Sequence, residues 1–474
     1  MLVFAIISGG WVAESPTWAP WFDYTGVQLT WILVGYGFVA AVLPVWLLLA
    51  PRDYLSTFLK IGTIVGLAIG ILIMRPTLTM PALTKFVDGT GPVWTGNLFP
   101  FLFITIACGA VSGFHALISS GTTPKMLANE GQACFIGYGG MLMESFVAIM
   151  ALVAACIIDP GVYFAMNSPM AVLAPAGTTD VVASAAQVVS GWGFSITPDT
   201  LRQIASEVGE QSIISRAGGA PTLAVGMAYI LHGSLGGLMD VSFWYHFAIL
   251  FEALFILTAV DAGTRAARFM LQDLLGVISP GLKKTSSLPA NLLATALCVL
   301  AWGYFLHQGV VDPLGGINTL WPLFGIANQM LAGMALMLCA VVLFKMKRQR
   351  YAWVALLPTS WLLICTLTAG WQKSFSPDTK VGFLAIANKF QAMIDSGAIP
   401  PQYTESQLAQ LVFNNRLDAG LTIFFMIVVV VLALFSIKTA LAALKEDKPT
   451  AKETPYEAMP ADAQGLTAQA KRAH

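Results

Sequence analysis

The chain has 474 residues, of which 57% are apolar and 11% charged, with a mean hydropathy of +0.73. Soluble domains carry about a quarter charged residues, so this composition excludes a water-soluble enzyme. The 25 Lys and Arg balance the 25 Asp and Glu, which leaves no basic field for nucleic acid and points to a lipid bilayer as the solvent.

A crossing helix takes roughly 20 apolar residues. Windows of that kind run over 29–50, 57–74, 98–119, 132–158, 241–260, 289–307, 320–345, 351–370 and 418–437. They are too long and unbroken for barrel strands. The expected fold class is an all-α polytopic membrane protein, with about nine complete transmembrane helices plus re-entrant or broken segments. The opening, 1–12, reads as the end of a crossing whose inner half is missing, so a longer natural chain is expected.

Lys and Arg concentrate in cytoplasmic loops. Alternation then puts Arg52, Lys60, Lys125, Arg265, Arg268, Lys283, Lys284, the 345–350 cluster and the C-terminal tail inside. Counting 220–239 (APTLAVGMAYILHGSLGGLM) as a crossing would reverse every later cluster. Its Pro221 and four glycines instead suit a re-entrant segment, and Pro169 and Pro175 interrupt 161–177 in the same way. The chain divides into a transmembrane part, 1–443, with external segments 159–219 and 371–417, and a disordered cytoplasmic tail, 444–474. Within the first external segment 197–211 is amphipathic, with Thr197 as N-cap and Pro198 in the first helical position.

The six cysteines lie in apolar spans without CxxC spacing, as small packing residues do. No Walker phosphate loop and no HExxH occur. The sequence thus calls for no cofactor and no metal, and energy must come from an ion gradient or a partner.

The richest window is 96–130, GNLFPFLFITIACGAVSGFHALISSGTTPKMLANE. Gly109 and Gly113 have small-xxx-small spacing, and Ser112, His115 and Ser119 share a helical face. Ser119, Ser120, Gly121, Thr122, Thr123 and Pro124 then offer hydroxyls and flexible backbone up to Lys125. A helix broken there would expose backbone ends that coordinate anions; an ordinary helix terminus gives the same pattern. In 317–330, INTLWPLFGIANQM, Pro322 and Gly325 suggest a second interruption, with Asn328 and Gln329 lining a pore or bonding neighbouring helices.

Two acids fall near mid-span, Glu144 and Glu252. A carboxyl there sheds the cost of its charge by taking a proton, as a proton carrier must; a hydrogen-bonded structural carboxyl is the alternative. Glu252 is preferred, because its helix follows the polar re-entrant stretch. Asp261, Arg265 and Arg268 have the spacing of an ion-pair cluster, snorkelling at a helix end. His232 is a pathway candidate, and His307 sits at a span end.

Three strings, FPFLFITIACGAVSGFHALISSGTTPK (99–125), WYHFAILFEALFILTAVDAGTRAARFMLQD (244–273) and LWPLFGIANQMLA (320–332), resemble the carbon starvation protein A family of bacterial inner-membrane proteins. The resemblance covers essentially the whole chain. It implies a secondary transporter related to the amino acid, polyamine and organocation fold, taking up pyruvate or peptides and coupled to protons. Family members carry further N-terminal spans, in keeping with the missing start. A membrane nutrient-sensing or interaction subunit is the rival reading, and it would need no mid-membrane acids.

Overall fold

The computed structural model describes residues 2–44, 46–106, 108–121, 123–127, 129–175, 177–285, 287–312, 316–400 and 403–452. All regular structure among these residues is helical. Many large apolar side chains stay exposed, among them Leu72, Leu152, Leu300 and Leu434 on four different helices, as expected where the solvent is lipid. Among the described residues seven helices are long and apolar enough to cross a membrane, and the chain is a multi-pass membrane protein.

The helices follow the apolar windows, with three differences. After α1 (Leu2–Glu14), the first window becomes α2 (Gly26–Val42), 17 residues long and started by a capping box between Thr25 and Gln28. A non-helical link separates it from α3 (Leu49–Met74). The third window is two short helices, α4 (Leu98–Thr105) and α5 (Gly113–Gly121), instead of one. Then come α6 (Ala133–Cys156) and a group of three short helices, α7 (Pro160–Asn167), α8 (Val181–Gly191) and α9 (Pro198–Glu207). The α9 start has the expected Thr197 cap, whose hydroxyl accepts from the Thr200 N–H. This group is packed into the bundle: Val162, Phe164, Met166, Ala185 and Leu201 are buried in one core with Met227, Ile230 and Tyr245.

The apolar stretch after it forms α10 (Gly219–Ser234), 16 residues long. At 1.5 Å per residue this is about 24 Å, short of the roughly 30 Å of hydrocarbon. Its Leu223 and Met227 share a cavity with Ile64, Leu67, Met150 and Phe251, while Ile230 and Ser234 meet Gly70, one turn from the end of α3. It therefore follows part of the bundle's depth, as a re-entrant segment does, before the chain turns into α11. His232 closes this turn, with Nδ1 2.7 Å from the Met239 carbonyl oxygen.

α11 (Val241–Ile278), α12 (Leu288–Val311), α13 (Gly316–Lys345) and α14 (Trp353–Phe375) run up and down beside one another, followed by the shorter α15 (Phe383–Asp395) and by α16 (Glu405–Lys445). Lys347, just past α13, donates to the Ala443 carbonyl at 2.7 Å, so the basic ends of α13 and α16 meet at one rim. Helix α16 also takes in Leu444 and Lys445, the first residues assigned to the tail; 453–474 lie outside the described residues.

The second expected interruption is absent. α13 runs unbroken over 30 residues with Pro322 inside it, which bundle neighbours make tolerable in membrane helices. Gly325 serves contact instead: a Cβ there would sit 2.7 Å from the Ile104 carbonyl oxygen of α4.

The expected cluster on α11 is corrected too. Asp261 is ion-paired with Arg52 of α3 at 2.5 Å and accepts from Tyr36 of α2 at 3.0 Å. Arg265 and Arg268 instead donate to the Ala40, Leu43 and Ala41 carbonyls that end α2, at 2.7–3.0 Å. They are buried and do not snorkel. Guanidinium groups on the open carbonyls of a helix C-terminus satisfy both partners where water is scarce.

Candidate functional site

The third apolar window breaks between Thr105 and Gly113, and α5 then ends at Gly121, inside the 119–124 run of loop-forming residues. A broken helix leaves carbonyls open on one side and N–H groups on the other. Both sets are met by adjacent amides of α13. The Asn328 side-chain oxygen accepts from the Phe114 N–H at the start of α5, at 2.7 Å. The Gln329 amide donates to the Phe103 and Ile106 carbonyls of α4's end, the latter at 3.3 Å. Ser112 Oγ takes the His115 N–H at 3.3 Å, and Ser145 of α6 donates to the Gly109 carbonyl at 3.1 Å. One uninterrupted helix thus holds the two halves of an interrupted one.

The two glycines act at different contacts, not on one face. A Cβ on Gly113 would fall 1.9 Å from the Asn328 carbonyl oxygen, and one on Gly109 2.4 Å from the Ala148 Cβ. Only glycine lets α5 approach α13 and the break approach α6 this closely.

Asn328 and Gln329 are buried, and two polar atoms at the break, His115 Nδ1 and Gln329 Oε1, are buried without a hydrogen-bond partner. Buried polar atoms left open are costly enough to point to a ligand or an ordered water. The other predicted groups face their own backbone: Ser119 Oγ donates to the Ala116 carbonyl, Ser120 Oγ to Leu117 and Thr123 Oγ1 to Ile118. Thr122 and the Lys125 side chain lie outside the described residues.

Glu144 and Glu252 are both half-buried. Glu144 adjoins Ser145, which touches the break. Glu252 is farther off, because α5 meets α11 at Gly263 and Ala266, about 16 Å along the axis from residue 252.

Three buried ionisable groups escaped the sequence reading. Lys373, at the end of α14, is 5% exposed, and its ammonium lies 5.2–5.9 Å from the ring centres of Trp94, Phe101 and Phe383, a cation–π cage. Asp312 and Asp418 are the others. Asn414, Asp418 and Thr422 follow i, i+4, i+8 spacing where the last apolar span begins, a polar stripe that could have revealed them. Nearby, burial and the Asp312 carboxylate push the Tyr403 phenol above its ordinary range.

Residues 1–369 match the family described as carbon starvation protein CstA. The chain belongs to this family. It is 93% identical over 470 residues to the peptide transporter CstA of Escherichia coli (strain K12), an alignment covering 99% of this chain and 67% of that protein. To the pyruvate/proton symporter BtsT of the same organism it is 57% identical over 478 residues, covering 97% and 67%. The peptide transporter CstA of Bacillus subtilis (strain 168) shares 41% over 371 residues, 78% of this chain and 58% of that protein. This CstA-family chain thus spans 67% of the length of its two Escherichia coli relatives. No solved structure matches it. Its relatives are named as transporters and a symporter, not as enzymes.

Proposed function

We propose that this chain is a secondary active transporter of the bacterial inner membrane, with its C-terminus in the cytoplasm, importing a small carboxylate such as pyruvate by proton symport. The observation that carries the reading is the α4–α5 break. There the positive end of a helix dipole lies beside the orphaned His115 Nδ1 and Gln329 Oε1, within reach of Ser112 and Asn328. Discontinuous helices hold anionic groups of transported solutes in this way. The site narrows to Ser112, His115, Asn328 and Gln329, with Glu144 the nearer of the two mid-span acids and Glu252 the reserve for proton coupling. The name of the BtsT relative supports pyruvate and protons.

A second reading, a proton-coupled peptide transporter, is favoured by the name of the 93% identical relative. Peptide and keto acid share the carboxylate that the break would hold. Uptake of labelled pyruvate and of a labelled dipeptide into proteoliposomes, with and without an imposed pH gradient, separates the two. Accumulation of pyruvate driven by an acidic exterior is expected, with weaker apparent affinity in His115→Ala at matched protein. Dipeptide uptake alone transfers the site to the second reading, and uptake of neither defeats both.

A further inference from the structure

Away from the break, the end of α12 and the start of α16 bring two carboxyls together around one small cavity. Asp312, 7% exposed, accepts from the Asn414 amide at 2.9 Å. One turn along α16, Asp418 is 2% exposed, and its carboxylate has no hydrogen-bond or ion-pair partner among the described residues. Both line a cavity of about 10 Å³ with Tyr304, Gln308 and Asn414, space for about one water. Gln410 and Gln308 bond each other beside it at 3.0 Å.

No Lys, Arg or His is among the described residues that line this cavity. α12 carries Cys298, Tyr304 and His307, the last beside Trp31 with ring centres 6.1 Å apart, and Asp312 caps its end. α13 carries no charged residue before Lys345 at its far end; its other titratable group is the Cys339 thiol. α14 offers Cys365 and Lys373, the latter enclosed by aromatic rings. α15 has Lys389 and Asp395, both exposed, with Tyr403 after it, and Arg416 of α16 itself is exposed. A buried carboxyl with no partner of its own, facing a second carboxyl across space for one water, sheds the cost of its charge by taking a proton.

We propose that Asp418 is a proton-exchanging carboxyl: its oxygen takes a proton from the cavity water and returns it, while Asp312, held by Asn414, is the fixed charge beside it. Its place fits the task. Lys438 lies twenty residues further along α16, about 30 Å, roughly the hydrocarbon thickness, so Asp418 stands at the membrane boundary opposite the basic rim. A proton arriving from that side meets it first. A part in coupling rests on the proposed proton symport; proton exchange at Asp418 does not.

The test therefore has two arms. Infrared difference spectra of the lipid-embedded protein, between acidic and alkaline buffer, are expected to show a protonated-carboxyl band that titrates. The band disappears in Asp418→Asn and changes its midpoint in Asp312→Asn. In proteoliposomes, Asp418→Asn is expected to lose pH-driven accumulation while keeping exchange of internal for external substrate. An unchanged titrating band in Asp418→Asn overturns the proposal, as does a carboxyl signal governed by added sodium instead of pH. Should the unsubstituted protein transport nothing, the symport reading fails, and the infrared arm still decides Asp418.

Discussion

The two longest helices, α11 with 38 residues and α16 with 41, each bury an aspartate, and the two surroundings are opposites. Asp261 receives the Arg52 guanidinium and the Tyr36 hydroxyl, and the arginines one and two turns further on are spent on the carbonyls ending α2. Asp418 has a second carboxyl for a neighbour and no base. A buried charge with a fixed counter-charge is architecture, because neither member leaves without stranding the other. A buried carboxyl without one is free to change its protonation state, which is what a coupled transporter needs. The broken helix lies between these extremes: neutral amides satisfy its backbone ends, and two polar atoms stay open.

The largest effect should come from breaking the paired side. Arg52→Met strands Asp261 and is expected to cost about 3–5 kcal/mol, read as lost folded protein and a lower melting temperature in detergent. Asp261→Asn in the same chain should restore much of it. Full stability of Arg52→Met alone would remove the contrast with Asp418.

Next in size is Gly113→Ala, which pushes a methyl into the Asn328 carbonyl. Overpacking of this kind costs about 1–3 kcal/mol, and the displacement should also weaken substrate binding. Asn328→Ala and Gln329→Ala each leave backbone groups of the break unbonded, at about 1–3 kcal/mol each, and their loss of substrate affinity should exceed their loss of folded protein. Equal losses in both would make the break purely structural.

Two small effects sharpen the comparison. Asp418→Asn replaces a carboxyl that has no hydrogen-bond or ion-pair partner among the described residues, so its stability should change by about 1 kcal/mol or less, far below the stranding of Asp261. Ser119→Ala deletes a hydroxyl bonded to its own helix and should change stability by about 0.5 kcal/mol or less, with transport affinity unaltered.

Much of the architecture was legible because membrane helices announce themselves by length and apolarity alone. Breaks do not. Ser119 to Pro124 carries every local loop signal, and α5 ends there at Gly121; the earlier interruption carries none of comparable strength and is stabilised by amides more than 200 positions away at Asn328 and Gln329. Pro322 carries the strongest breaking signal and breaks nothing, because its neighbours support the helix around it. Asn328 and Gln329 were marked as polar residues in an apolar span, but that they clasp another helix is long-range information that one-dimensional spacing does not hold. The α11 cluster shows the same limit: Asp261, Arg265 and Arg268 have ideal spacing for pairing with one another, and tertiary partners took all three. Asp418 went unmarked as the first residue of its window, where a charge looks interfacial; burial by α12 makes it unusual.

Helix α16 is about 61 Å long, roughly twice the hydrocarbon thickness, and it is braced at both ends. At one end Phe390 of α15 packs against its Leu408, Leu411 and Val412. At the other, Lys347 grips Ala443. A continuous helix without proline curves only gently along its length, so a displacement of the α15–α16 hairpin is expected to shift the whole rod with it. Asp418 rides on that rod against a cavity wall provided by α12. The volume around its carboxyl is therefore set mechanically, by the angle between two rods.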